Sequence, residues 1–307
     1  MSGISTAMTT ALTVFHSDDF DVDNPPMETL EKPRLVAERI IDTRAGRVEL
    51  RAPEVATPEE LLAIHTPEWI DAIATGEPDE LASSVFSWSE AYARSVFAST
   101  GAMRDAVLHA LEHGAAGALS AGLHHARAEE GAGFCTFNGL ALGALAAIGA
   151  GATTVGILDV DAHNGGGTFS ILGDNPQVRI ADVSVNTYDQ WRPSAERHHR
   201  VTVDSAQEYL SAVADALEHL EGVDLVIHNA GMDPHEGCGV GGLRGIDHDL
   251  LAEREALVAG WLQRTGTPAA FALAGGYRGS GTNGLSIEGI VDLHMLTVDA
   301  FTALVRS

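Results

Sequence analysis

The chain has 307 residues, of which 45% are hydrophobic, enough for the sizeable buried core of one large domain. Its 18 basic residues face 43 acidic ones, a formal net charge of −25. Such a surface repels phosphate backbones and anionic lipid heads, which argues against nucleic acid and membranes as partners and favours cationic ones.

The opening segment MSGISTAMTT has no basic stretch followed by an apolar run, so no secretory signal is expected. Two cysteines, Cys135 and Cys238, form neither a CxxC pair nor a disulfide framework, and a reducing, cytoplasmic setting is expected. Lys32 is the only lysine, which reads as compositional bias. Along the chain, short apolar runs predict strands at Leu12–Phe15, Thr154–Leu158, Val178–Val185, Leu225–Asn229 and Ala269–Ala274. Alanine-rich stretches at Glu90–His113, Ser205–Leu220 and Leu250–Arg264 predict helices between them. The apolar segment Gly139–Val160 is long enough to span a bilayer. Gly149 and Gly151 interrupt it, however, and its β-branched end reads better as a buried helix followed by a central strand. Continuously apolar strands alternating with helices predict a single α/β domain, residues 1–307, with a mainly parallel central sheet covered by helices on both faces.

Polar residues follow several of these strands. LDVDAHNGGG places Asp159, Asp161 and His163 at alternate positions, which share one face if the chain stays extended. HNAGMDPHEG supplies Asp233 after the next strand but one, and ALAGGYRG supplies Tyr277 after the last. Ligand sites of open α/β sheets collect at the carboxyl ends of strands. Burying carboxylates and imidazole there is costly unless they are paired or hold a cation. Two Asp and one His leave a fourth position open, the layout of a catalytic zinc, although oxygen-rich ligation also suits Fe(II), Co(II) or Mn(II). A hydrogen-bonded polar cluster is the plainer alternative. His124 and His125 lie in SAGLHHARAEEGAGFC, and as neighbours they are expected to point in different directions, one at most facing a substrate. The glycines before Tyr277 allow close backbone approach or unusual angles.

LHHARAEEGAGFCTFNG, LDVDAHNGGGT, NAGMDPHEG and AGGYRG stand in the order and spacing of the histone deacetylase family, which the chain resembles from about residue 60 to 285. That family includes acetylpolyamine amidohydrolases and acetoin-utilisation proteins. METLEKPRL is similar to a decayed form of its HPExPxR segment. The resemblance implies an arginase-like α/β fold and hydrolysis of an acetylated amine, and the net charge favours a cationic one. It makes Asp161, His163 and Asp233 the metal ligands. His125 becomes the general base and then acid, and His124 its electrostatic companion, oriented by Asp159. Tyr277 becomes the donor to the oxyanion, with Gly133 and Phe134 on one wall of a substrate tunnel. It further implies structural potassium bound by the Asp159–His163 segment and the region near Ser184.

The chain departs from the family in four places. The family writes HHGDG or HHGNG where this chain has His163-Asn164-Gly165-Gly166-Gly167, so Gly166 stands where an Asp or Asn orients the second histidine. On this reading His125 lacks its partner. Asn138-Gly139 replaces the family's ND, Asn186 replaces a frequent His, and METLEKPRL has no His. The short stretch between His65 and Ser89 leaves little room for a long loop at the entrance. Two rival readings follow. A binuclear manganese hydrolase of the arginase kind needs a carboxylate at Gly165 and paired Asp residues where the chain has His235. A non-catalytic protein gripping a cationic ligand draws its support from Gly166.

Overall fold

The structure is a computed structural model that describes residues 11–305; the opening segment examined for a secretory signal lies outside the described residues. The chain begins with β1 (Leu12–Phe15), a 3-10 turn (Asp18–Phe20), α1 (Glu28–Arg44), β2 (Val48–Arg51), α2 (Pro58–Leu61), α3 (Pro67–Thr75) and α4 (Asp79–Ala82). The long α5 (Glu90–His113) leads into β3 (Ala115–Ala118), α6 (Gly139–Gly149), β4 (Val155–Asp159), α7 (Gly166–Leu172), β5 (Val178–Ser184) and β6 (His198–Thr202). Last come α8 (Ala206–His219), β7 (Leu225–Asn229), α9 (His248–Thr265), β8 (Ala269–Ala272) and α10 (Ile287–Leu304). The helices start and stop on local chemistry. Ser89, Asn138 and Asp247 cap α5, α6 and α9 by accepting from backbone N–H groups three residues on, and left-handed Gly266 ends α9.

Among the described residues, eight strands lie parallel in one sheet, in the order β2-β1-β3-β8-β7-β4-β5-β6. Side chains alternate between two apolar layers. Val155, Ile157, Ile180 and Ile227 pack beneath α5 and α6, whereas Leu158, Val183, Val226 and Phe271 pack beneath α1, α8, α9 and α10. The sheet is therefore buried on both faces, as its continuously apolar strands demand. Segment Gly139–Val160 is α6 plus β4, and no helix among the described residues is long and apolar enough to cross a membrane.

Strands β2, β3 and β6 carry no clear signature in the sequence. β3 reads Ala-Ala-Gly-Ala, a poor strand former by propensity. Packing selects it: a Cβ on Gly117 would lie 2.2 Å from the Phe271 ring of the neighbouring β8. Small residues at the sheet's centre make room for that phenyl group.

β7 and β8 come late in the chain and insert between β3 and β4. This brings together the carboxyl ends of β3, β8, β7, β4 and β5, which deliver His124 and His125, Tyr277, Asp233, Asp161 and His163, and Asp189 respectively.

Candidate metal centre and active site

The chain bends immediately after β4, so Asp159, Asp161 and His163 do not share one extended face as strand alternation predicts. Asp159 turns towards His124, and Asp161 and His163 meet Asp233. The ligand atoms of these last three lie within 4.8 Å of one another and are buried. His163 Nδ1 stands 3.0 Å from Asp161 Oδ1 and 3.0 Å from Asp233 Oδ2. Backbone amides hold the carboxylates: Gly275 N–H donates to Asp161 Oδ2 at 2.8 Å, and Ala162 N–H donates to Asp233 Oδ1 at 2.9 Å. Asp233 Oδ2 is buried with His163 Nδ1 close by but no well-aligned donor. Burial opposes a charged imidazole at His163, yet Asp161 and Asp233 push its pKa up to about 11. Two adjacent buried carboxylates call for positive charge here, which a proton on His163 or a divalent cation can supply. The oxygen without an aligned donor, the two-carboxylate-and-imidazole donor set and the absence of a Cβ at Gly275 all fit a cation with an open fourth position.

His124 and His125 lie in a turn rather than a strand, so adjacency does not drive them apart: their ring centroids are 3.9 Å apart. His124 Nδ1 lies 2.9 Å from Asp159 Oδ2, and its Nε2 lies 3.6 Å from Asp161 Oδ1. Burial disfavours charge on His124, but Asp159 and Asp161 raise its pKa to about 10, which favours the charged imidazole. Asp159 is itself held by Asn229 Nδ2 at 2.9 Å. His125 behaves oppositely. Burial and the neighbouring His124 charge lower it to about 4, against the pull of Asp189, so it stays neutral and can accept a proton. Adjacent imidazoles whose surroundings push their pKa values in opposite directions suit acid–base chemistry.

His125 is not without a partner, contrary to what Gly166 implies. Its Nδ1 lies 2.8 Å from Asp189 Oδ2, on the loop after β5. A Cβ on Gly166 would sit 2.3 Å from Asp189 Oδ1, so the sequence departure and the new partner occupy one place. No local motif marks Asp189, which is 64 residues from His125. Gly165 has no space for the carboxylate of a binuclear site, since its Cβ would meet Asp159 Oδ2 at 2.6 Å. His235 accepts from Gly237 N–H and lies outside the pocket wall.

Tyr277 is buried, its ring 5.6 Å from that of Phe134. Burial and the charges of Asp161 and Asp233 push its phenol well above the usual range, so the hydroxyl stays protonated and able to donate. The preceding glycines act as the sequence suggests: a Cβ on Gly275 would meet Asp161 Oδ2 at 2.4 Å, and Gly276 adopts φ 145°. Lys32 is not a compositional accident. Fully buried, it donates to the carbonyls of Ala274 and Gly276 and lies 5.4 Å from the Tyr277 ring centroid. Burial lowers its pKa to about 8, against the pull of Asp233 and Asp161. METLEKPRL therefore supports the tyrosine turn despite its missing histidine.

A pocket of about 600 Å³ opens from this cluster. His125, His163 and Tyr277 line it, with Gly133 and Phe134 on one side and Tyr188 on another. Tyr188, which the sequence does not single out, meets both His125 and His163 nearly edge-on, at ring separations of 4.9 and 5.9 Å. Gly133 is required by close approach: its φ is 51°, and a Cβ would lie 2.3 Å from His125 Cδ2. Ser84 and Val85 show that the short stretch after His65 reaches the wall, and Asn186 joins them. Asn138 caps α6 and donates to Ala126 O at 3.0 Å, tying down the histidine turn. No Asp, Glu, Lys or Arg lines the pocket among the described residues.

Comparison with known proteins places the chain among relatives of the same fold. An uncharacterized protein of Picosynechococcus is 30% identical over 70% of this chain and 74% of its own. Histone deacetylase 2 of Arabidopsis thaliana is 33% identical over 55% of this chain, and the match spans 46% of that protein. The solved structure of an acetylpolyamine aminohydrolase from Burkholderia pseudomallei superposes with a TM-score of 0.79 at 18% identity, covering 96% of this chain and 99% of its own, a likeness of fold. Residues 27–287 match the model of the histone deacetylase domain. A match to that domain over most of the chain establishes a hydrolytic deacetylase that belongs to the histone deacetylase family.

Proposed function

We propose that the protein hydrolyses an N-acetylated amine to acetate and free amine, using a zinc ion held by Asp161, His163 and Asp233. One observation carries this reading: the buried cluster of Asp161, His163 and Asp233, whose ligand atoms lie within 4.8 Å of one another, adjoins His125 and Tyr277 on the wall of a largely apolar pocket. A divalent cation there would supply Lewis acidity, acidifying a water molecule and polarising the amide carbonyl. The same donor set suits Fe(II), Co(II) or Mn(II). His125 takes the proton of the attacking water and returns it to the departing nitrogen. His124 keeps its charge, held by Asp159, and offsets the negative charge of the reacting centre. Tyr277 donates to the developing oxyanion, an interaction worth about 3–4 kcal/mol for a well-placed donor. Phe134, Gly133 and Tyr188 bound a slot suited to an alkyl stem, and the net charge of −25 draws cationic molecules. Acetyl-lysine and acetylpolyamines are the substrates this combination favours. Potassium beside Asp159, Asp161, His163 and Ser184 belongs to the same reading.

The reading as a non-catalytic ligand-gripping protein loses its support, because Asp189 stands where Gly166 leaves a gap. Metal analysis together with acetate release from an acetyl-lysine peptide and an acetylpolyamine tests the proposal. About one divalent ion per chain is expected, with both metal and turnover lost in Asp161→Ala. Absence of acetate release from metal-replete protein on either substrate overturns the activity. A full metal equivalent in Asp161→Ala overturns the ligand assignment.

A further inference from the structure

We infer that Asp189, carried by the loop after β5, is the positioning residue that fixes the His125 tautomer, with Arg127 as its clamp. The inference rests on the deacetylase reading for its kinetic consequence, but its structural content is independent of it. Asp189 is polar, and its side chain is almost fully enclosed. Oδ2 faces His125 Nδ1 at 2.8 Å and also accepts from the Gly167 backbone N–H at 3.2 Å. Oδ1 accepts from Arg127 Nη2, which lies two residues beyond His125. Each oxygen therefore has a donor, and the carboxylate cannot rotate without breaking one of these bonds. A carboxylate only accepts, so the proton between it and His125 sits on Nδ1. The other ring nitrogen, Nε2, then carries its lone pair, in an imidazole that lines the pocket.

The backbone supports the assignment. Asp189 has φ 55°, in the left-handed region that few residues other than glycine adopt. A residue held in such a conformation beside a reactive side chain points to a functional constraint. Gly166 completes the argument. It opens α7 without a left-handed φ, so its backbone does not itself demand glycine. Asp189 stands nearest to any side chain there: its Oδ1, carbonyl oxygen and Cγ would lie 2.3, 2.4 and 2.6 Å from a Cβ. The glycine at residue 166 and the aspartate at residue 189 are thus one arrangement: the carboxylate reaches His125 from a different strand.

Imidazole 15N–1H spectra of the purified, metal-loaded protein read the tautomer directly, with the His125 signal identified by its loss in His125→Gln. We expect a strongly downfield Nδ1 proton in the wild type. It should move upfield or vanish in both Asp189→Asn, which keeps the shape, and Asp189→Ala, which removes the acceptor. On an acetyl-lysine peptide, Asp189→Ala should lose about 100-fold in kcat with KM within about threefold, in line with other residues that orient catalytic or ligating imidazoles. Metal content should stay at the wild-type level. An unchanged Nδ1 signal in both variants overturns the inference, whether or not the wild type turns over this substrate. A shifted signal together with a kcat within about threefold of wild type also overturns the positioning role. Failure of the wild type on every acetylated amine would overturn the deacetylase reading and leave the tautomer measurement to decide for Asp189.

Discussion

Replacing Gly275 with alanine adds one methyl group and removes no ligand, yet it is expected to disable the metal centre. The Cβ would lie 2.4 Å from both Asp161 Oδ2 and Asp233 Oδ2. Non-bonded heavy atoms do not approach so closely, so one side must retreat by about 0.6 Å at the least, because carbon contacts are normally well beyond 3 Å. Neither carboxylate is free to do so. The same Gly275 N–H holds Asp161 Oδ2, and Ala162 N–H holds the other oxygen of Asp233. Ligand distances in a working site are set to within about 0.2 Å, so this displacement exceeds the tolerance severalfold. We expect metal affinity to fall by about 100-fold or more, which is about 2.8 kcal/mol. Residue 275 does not have a left-handed φ, so alanine itself brings no backbone strain. Overpacking should cost the apo fold about 1–3 kcal/mol. Competition of the variant with a chromophoric chelator measures the affinity, and thermal unfolding of apo protein measures the fold. Gly149→Ala is the control: nothing lies within 4 Å of its Cβ, and it sits at the end of α6, so its stability should hold or rise. Wild-type affinity in a folded Gly275→Ala would refute the reasoning, because it would mean that the carboxylates are not held as described.

If its hydroxyl acts on charge that forms during reaction, as proposed, Tyr277→Phe should keep metal and fold but lower kcat by about 100-fold, with a smaller change in KM; equal kcat values would show that the phenol serves another purpose. Gly166→Asp should lower both Tm and kcat rather than improve the base, since the new carboxylate would overlap that of Asp189; thermal melts and turnover at wild-type levels would contradict this. Outside the pocket wall, Glu255 is buried between Arg254 and His228, at 2.8 Å from Arg254 Nε and 3.2 Å from His228 Nε2. Burial opposes its charge, but Arg254 and His228 hold its pKa down at about 2. A depressed carboxyl pKa contributes stability that is present above the unfolded value near 4.5 and lost as pH falls towards 2. Glu255→Gln should therefore cost on the order of 3 kcal/mol at pH 7 and progressively less below pH 4.5, which chemical denaturation at a series of pH values would reveal; a loss independent of pH would refute the charge argument.

Much of the fold was legible because local pattern and tertiary role coincide. The strands Leu12–Phe15 and Leu225–Asn229 and the helix Glu90–His113 have the same bounds in sequence and structure, since long apolar runs and capped amphipathic stretches report their own burial. The cluster of Asp161, His163 and Asp233, and the turn before Tyr277, were equally legible. Buried charge beside an apolar strand has few explanations, and the domain match spans all of these segments. What only the tertiary structure decided lies in contacts between distant segments. β3 is made a strand by Phe271 across the sheet, although its own alanines and glycine prefer nothing in particular. Strand order follows from the late insertion of β7 and β8, which no local period encodes. The same holds for Lys32 beneath the Ala274–Gly276 turn and for Asp189 against His125. Their partners lie 242 and 64 residues away. Neither side chain belongs to a repeating pattern, so each acquires its role only when the sheet brings the two loops together.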